Sequence, residues 1–154
     1  MINDSKEYLS FVIEEEEYAI DILDVREVRG WTHIRALPNS PSYILGVLEL
    51  RGEYIPIIDL RQKFGFEPSQ ISDLTVVILL KFNSSSLGII VDAVADVYPL
   101  TQEQVQPPPL GGEHPRYRYI KGIANINNKH IILVKLEKFF DLQELDQVLS
   151  DKIS

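Results

Sequence analysis

At 154 residues the chain fits one compact domain or two small subdomains sharing a core, burying ~70% of its unfolded surface without a disulfide or metal staple. It contains no cysteine, which removes disulfide frameworks, thiolate zinc sites and cysteine nucleophiles together. A net charge of −8 with scattered cations, the nearest cluster being Arg116, Arg118 and Lys121, argues against a nucleic-acid partner.

Residues 1–7 carry no basic start followed by an apolar run, so no signal peptide is expected, only a flexible N-terminal tail. Leu9, Phe11 and Ile13 alternate with Ser10 and Val12. After Glu14 to Glu17, Tyr18, Ile20 and Ile22 alternate with Ala19 and Asp21. Two alternating runs about a short polar stretch read as a β-hairpin with a solvated acidic tip. Val25 to Val28 continues as strand until Leu37-Pro38-Asn39-Ser40-Pro41 breaks it. Ile55 to Leu60 is another strand, which Pro56 should confine to an edge or a strand end. Arg61 to Phe64 reads as a helical turn ending at Gly65. Thr75 to Phe82 is β-branched and apolar, the profile of a strand buried on both faces. Its longest apolar run, Val76 to Leu80, is far shorter than the ~20 residues of a membrane span, and a cytoplasmic protein is expected. Asn83 to Ser86 forms a turn and Leu87 to Val91 returns. Gln106 to Gly112 is a Pro/Gly loop. From Leu136, the residues Phe139, Phe140, Leu142, Leu145, Val148 and Leu149 recur near a 3.6-residue period, predicting an amphipathic helix over 136–150.

The chain also repeats itself. Tyr43-Ile44-Leu45-Gly46-Val47 returns 76 residues later as Tyr119-Ile120-Lys121-Gly122-Ile123. At that offset Leu50 meets Ile126, Ile55 meets Ile131, Ile57 meets Leu133 and Leu60 meets Leu136. An earlier stretch repeats at an offset of 69, where Ile20 meets Ile89, Val25 meets Val94, Glu27 meets Asp96 and Val28 meets Val97. Each unit is too small for comfortable independent folding, so the two are expected to share one core. Antiparallel strands with edges to hide favour closed barrels.

Tyr18-Ala19-Ile20-Asp21-Ile22, Val25-Arg26-Glu27-Val28, Leu37-Pro38-Asn39, Gly46 to Gly52 and Ile55-Pro56-Ile57-Ile58-Asp59-Leu60 stand in the order of the CheW-like signature. Gly88 to Val94, Asp96-Val97 and Tyr119 to Gly122 continue it, so that residues 8–142 resemble a CheW-like domain. The resemblance implies an all-β fold of two intertwined five-stranded SH3-like barrels around a shared hydrophobic core, followed here by the C-terminal helix. It implies a non-catalytic, cofactor-free adaptor joining the cytoplasmic tip of chemoreceptors, the methyl-accepting chemotaxis proteins, to a CheA-type histidine kinase. Such a chain is expected to be monomeric alone and to assemble in receptor arrays, where modest affinities multiply. Coupling in a related receptor-kinase pathway, such as type IV pilus motility, uses the same domain. A small-molecule sensor with a ligand cleft between the halves is the alternative from another class. Glu49 departs from the Asn usual before Leu50-Arg51-Gly52.

No constellation for catalysis or metal binding is visible. His33, His114 and His130 lack metal-ligand spacing, and phosphate loops and nucleophile elbows are missing. Asp21, Asp59, Asp92 and Asp96 stand at strand ends, where turn and backbone hydrogen bonding is the expected work. Comparing the copies isolates what folding does not require. After the Tyr-Ile-x-Gly strand the first has Arg51-Gly52 and the second Asn127-Asn128. Gly52 and Asn128 suit the same positive-φ turn, whereas Arg51 has no charged counterpart. Its guanidinium fork suits a carboxylate or carbonyls across an interface, or a salt bridge to Glu27, Glu49 or Glu53. The resemblance assigns Arg51 to receptor contact and places Val25, Glu27 and Val97 near the same groove. Gly46, Gly52 and Gly122 are read as structural.

Overall fold

The structure, a computed structural model, describes residues 5–108 and 114–139. The strands are β1 (Lys6–Ile13), β2 (Glu16–Asp21), β3 (Val25–Gly30), β4 (Ile44–Leu50), β5 (Glu53–Asp59), β6 (Val76–Phe82), β7 (Ser85–Val91), β8 (Ala93–Leu100), β9 (Val105–Gln106), β10 (Ile120–Ile126) and β11 (Lys129–Val134). One helical turn, α1 (Leu60–Lys63), follows β5. Asp59 caps its start, and it ends at Gly65 with φ +88°.

Two sheets form, ordered β8-β1-β2-β11-β10-β9 and β3-β6-β7-β5-β4. Shifting the first repeat by the sequence offsets carries β3 onto β8, β1 onto β6, β2 onto β7, β5 onto β11 and β4 onto β10. The two sheet orders then coincide, with the two-residue β9 as an extra edge. Each repeat therefore gives its leading hairpin to the sheet built from the other. The donated hairpins dock through equivalent parallel seams. Leu133 opposite Ala19 on β11 and β2 is matched by Ile57 opposite Gly88 on β5 and β7. Even the irregularities agree, with register shifts at Ile44/Gly46 and at Ile120/Gly122.

Three apolar clusters follow from this exchange. The largest joins both sheets through Phe11, Tyr18, Ile58, Phe64, Ile78 and Phe139, among others. Its aromatic rings stack or tilt against one another, as with Tyr18 and Phe64 at 5.0 Å and Phe64 and Tyr119 at 5.4 Å. The smaller clusters fill the individual barrels, around Tyr8, Ala19, Ile131 and Leu133 in one and around Ile55, Ile57, Leu79 and Ile90 in the other.

Four expectations need correction. β1 begins at Lys6, two residues inside the segment read as a tail, because it pairs with β8 from Lys6 opposite Leu100 onward. Pro56 lies within an interior strand, between β4 and β7. It is tolerated there because the seam with β7 covers only Ile57 to Asp59 and leaves the proline outside it. The acidic tip is not merely solvated. Glu14 pairs with Arg61, Glu16 with Arg116, and Glu17 with Lys129 at 3.5 Å. Ser85 and Ser86 belong to β7, so that turn is confined to Asn83 and Ser84. At the C-terminal end Leu136–Lys138 form a 3-10 turn; the rest of the helix expected over 136–150 lies outside the described residues.

Candidate functional site

The β4–β5 hairpin carries the most exposed chemistry that folding leaves unused. Leu50 pairs with Glu53, and Arg51 and Gly52 close the turn with φ +51° and +79°. Asn127 and Asn128 close the twin hairpin at +50° and +65°. Both are turns with two left-handed residues, for which Asn and Gly are the natural choices. An arginine in that conformation costs about 1 kcal/mol relative to them. Its side chain is exposed and makes no ion pair or hydrogen bond among the described residues.

Two of the three carboxylates open to Arg51 are otherwise engaged. Arg26 takes Glu53 at 3.0 Å and also donates to Ser86 Oγ at 3.0 Å. Arg29 takes Glu27 at 3.8 Å. Glu49 is exposed beside the turn and leaves Arg51 unpaired. The Arg26–Glu53 pair ties β3 to the base of the turn, so Val25, Glu27 and Arg51 stand on joined elements of one sheet. Val25 is half-buried and packs on the shared core. Val97 lies on β8, the edge of the other sheet, and is 41% exposed; its twin Val28 on the edge strand β3 is 44% exposed.

The glycines hold the backbone that presents these groups. A Cβ on Gly46 would run into the Arg35 carbonyl, whose carbon lies 2.9 Å away. One on Gly122 would meet Val105 Cγ1 at 2.7 Å and Gln106 O at 3.0 Å. In both barrels a neighbouring strand therefore crosses close over the Tyr-Ile-x-Gly glycine.

The carboxylates are occupied by structure. Asp21 accepts from Leu23 N at 2.9 Å, and Asp92 accepts from Glu14 N and from Arg61 at 2.9 Å each. Asp59 is buried and collects four hydrogen bonds, from Arg61 N, Gln62 Nε2, Ser69 N and Ser69 Oγ. Ser10, equally buried, donates to Glu17 and accepts from Asp96 N. Burial alone would raise the Glu17 carboxyl, but hydrogen bonds from Ser10 and Tyr98 and the Lys129 charge leave it lowered. The described residues hold no cluster of three or more His, Asp or Glu side chains suited to a metal ion. None of their helices is long and apolar enough to cross a membrane.

Asp24 gives a test of local electrostatics. Burial first, then the Asp21 charge, pushes its carboxyl above the usual 3.8, with Glu137 adding to the rise and Lys121 and Lys6 opposing it. The folded state thus holds this proton more tightly than the unfolded chain. Its contribution to stability falls as pH rises from 3.8 through the raised folded value. Asp24→Asn is expected to raise the melting temperature at pH 7, with the gain vanishing on acidification below that window. Thermal melts across pH 3 to 8 check this; a gain independent of pH would contradict it.

A family model described as the CheW-like domain matches residues 7–144, nearly the span over which the signature residues stand in order. The chain belongs to the CheW family. Similar CheW relatives include the chemotaxis protein CheW of Klebsiella aerogenes, 41% identical over 91% of this chain and 84% of that one. The probable chemotaxis protein CheW of Rhizobium etli is 37% identical, covering 90% of each. Among solved structures, the CheW scaffolding protein of Thermoanaerobacter tengcongensis superposes with a TM-score of 0.82 at 34% identity, over 91% of this chain and 95% of that one. The CheW-like paired-barrel expectation and the observed exchange of hairpins thus describe one architecture.

Proposed function

We propose that this chain is a scaffold without catalytic activity that couples chemoreceptors to a CheA-type histidine kinase in the cytoplasm. One observation carries the reading. Arg51 is an exposed, unpaired guanidinium held in a left-handed turn that the twin hairpin closes with asparagine. An arginine that costs conformational energy and forms no ion pair or hydrogen bond among the described residues is free to serve an external partner, and a fork of five donors suits carboxylates or carbonyls of that partner. Glu27 and Val97 extend the contact surface, Val25 supports it from the core side, and the kinase binds a separate barrel face.

Arg51→Asn copies the twin turn and so removes the guanidinium without disturbing the backbone. Capture of a cognate receptor fragment in pull-downs is expected to weaken ~10- to 100-fold, the range of a hot-spot arginine. Kinase capture is expected to persist, and the melting temperature to hold or rise slightly. Equal loss of both partners by a well-folded variant would reject the assignment.

A further inference from the structure

The segment linking β3 to β4 shows a second charged feature that the fold does not explain. After β3 the chain runs back alongside β4, where Arg35 and Val47 exchange backbone hydrogen bonds of 2.9 and 2.8 Å. Between this segment and the β4–β5 hairpin lies a cleft of about 290 Å³, lined by Arg29, His33, Arg35, Glu49 and Tyr54 among others. Arg35 and His33 are exposed and unpaired among the described residues, and Tyr54 is 38% exposed. Arg51 stands just beyond, at the end of the hairpin whose Glu49 opposite Tyr54 forms one wall.

The second barrel provides an internal control. It builds the same strands and registers, yet neither the three arginines nor His33 has a charged counterpart there. Tyr98 stands for Arg29, Gln102 for His33, Gln104 for Arg35 and Asn127 for Arg51. The residue that pairs with β10 as Arg35 pairs with β4 is Gln106, again neutral. Folding therefore does not call for the charge. In a chain of net charge −8, Arg35, Arg51 and the Glu27-paired Arg29, with His33 among them, gather on one side of the cleft and complement an acidic surface.

We infer that the cleft between residues 29–35 and the β4–β5 hairpin is the part of the receptor-docking face that receives an acidic segment of the receptor, whose Asp and Glu side chains meet Arg29, His33, Arg35 and Arg51. The inference rests on the coupling role proposed above and names the chemistry of the partner's contact. Tyr54 supplies an apolar wall with a polar tip, and Glu49 is the opposing charge that tempers the attraction. Its twin is Asn125, so the carboxylate is dispensable for the hairpin.

The test is a titration of the full chain with a soluble cytoplasmic-tip fragment of a cognate chemoreceptor at several salt concentrations. The double variant H33Q/R35Q installs the residues of the second barrel. It is expected to bind at least fivefold more weakly at 0.15 M salt and to lose affinity less steeply as salt rises. Glu49→Asn is expected to bind severalfold more tightly. Unchanged affinity and salt dependence in H33Q/R35Q, with Arg51→Asn still weakened, would overturn the inference and leave the coupling role standing. If Arg51→Asn and the cleft variants are all silent toward the receptor, the docking face itself is wrongly placed. Sedimentation of the same variants covers the remaining occupant: a dimer of this chain dissolved by H33Q/R35Q, with receptor binding intact, also overturns it. Thermal melts confirm that each variant is folded.

Discussion

Replacing Gly46 with alanine is expected to lower the melting temperature by roughly 10 °C. The added Cβ would overlap the Arg35 carbonyl, a backbone group fixed by two hydrogen bonds to Val47, so neither side can yield. A loss of about 3–5 kcal/mol follows from such backbone overlap in a packed region, and for a chain of this length each kcal/mol moves the midpoint by ~2–4 °C. The twin substitution Gly122→Ala is expected to cost less, because its nearest obstacle is the side chain of Val105, which can shift. Gly52→Asn is expected to be close to neutral. The site is open, and Asn128 already occupies its equivalent at φ +65°. Circular-dichroism melts of the three variants check the order; a Gly46→Ala protein melting within 2–3 °C of the parent would refute the close-crossing account.

Asp59→Ala is expected to be the most damaging polar substitution, by about 3 kcal/mol. The buried carboxylate caps α1 through Arg61 N and holds Ser69 through both its backbone N–H at 2.8 Å and its hydroxyl at 2.6 Å. Removing it strands these donors and releases the 66–75 connection from the end of β5. Asp59→Asn keeps an acceptor for the cap and is expected to cost about half as much. Hydrogen exchange distinguishes local from global failure. Protection at Ser69 is expected to fall far more than at Ile78 or Ile90 in the strand cores, and uniform loss would contradict a local anchoring role.

The strands and their duplication were legible because alternation and offset are written directly into residue order. The Tyr-Ile-x-Gly pairing at 76 residues locates β4 and β10, and the 69-residue offset locates β2 with β7 and β3 with β8. Alternation states which face a side chain occupies but not which strand lies beside it. The docking of β2 on β11 and of β7 on β5 was therefore invisible without the resemblance. Pro56 misled for the same reason, since a proline forbids a hydrogen bond only where a neighbour would accept one. The ion pairs of the acidic tip join residues up to 112 positions apart, which no local pattern reports. At the site, the copy comparison singled out Arg51 but left a salt bridge to Glu27, Glu49 or Glu53 open, and it was the resemblance that turned the reading toward a partner. Arg29, His33 and Arg35 were not singled out, although they share the parity of one face of an extended chain and have uncharged counterparts in the other copy.

The traded hairpins also dictate when this protein can become itself during synthesis. β1 and β2 leave the ribosome well before β11, whose last residue is Val134, and until then β2 lacks the partner on one of its edges. For most of translation Tyr18, Ala19 and Ile20, buried in the finished molecule, border an open edge that invites adventitious pairing. Neither half can finish early and shelter the other, so the nascent chain stays vulnerable until β11 has emerged. Glu14 to Glu17, the four carboxylates at the tip of that waiting hairpin, therefore keep a charged guard beside the open edge before they find their ion-pair partners in the folded chain.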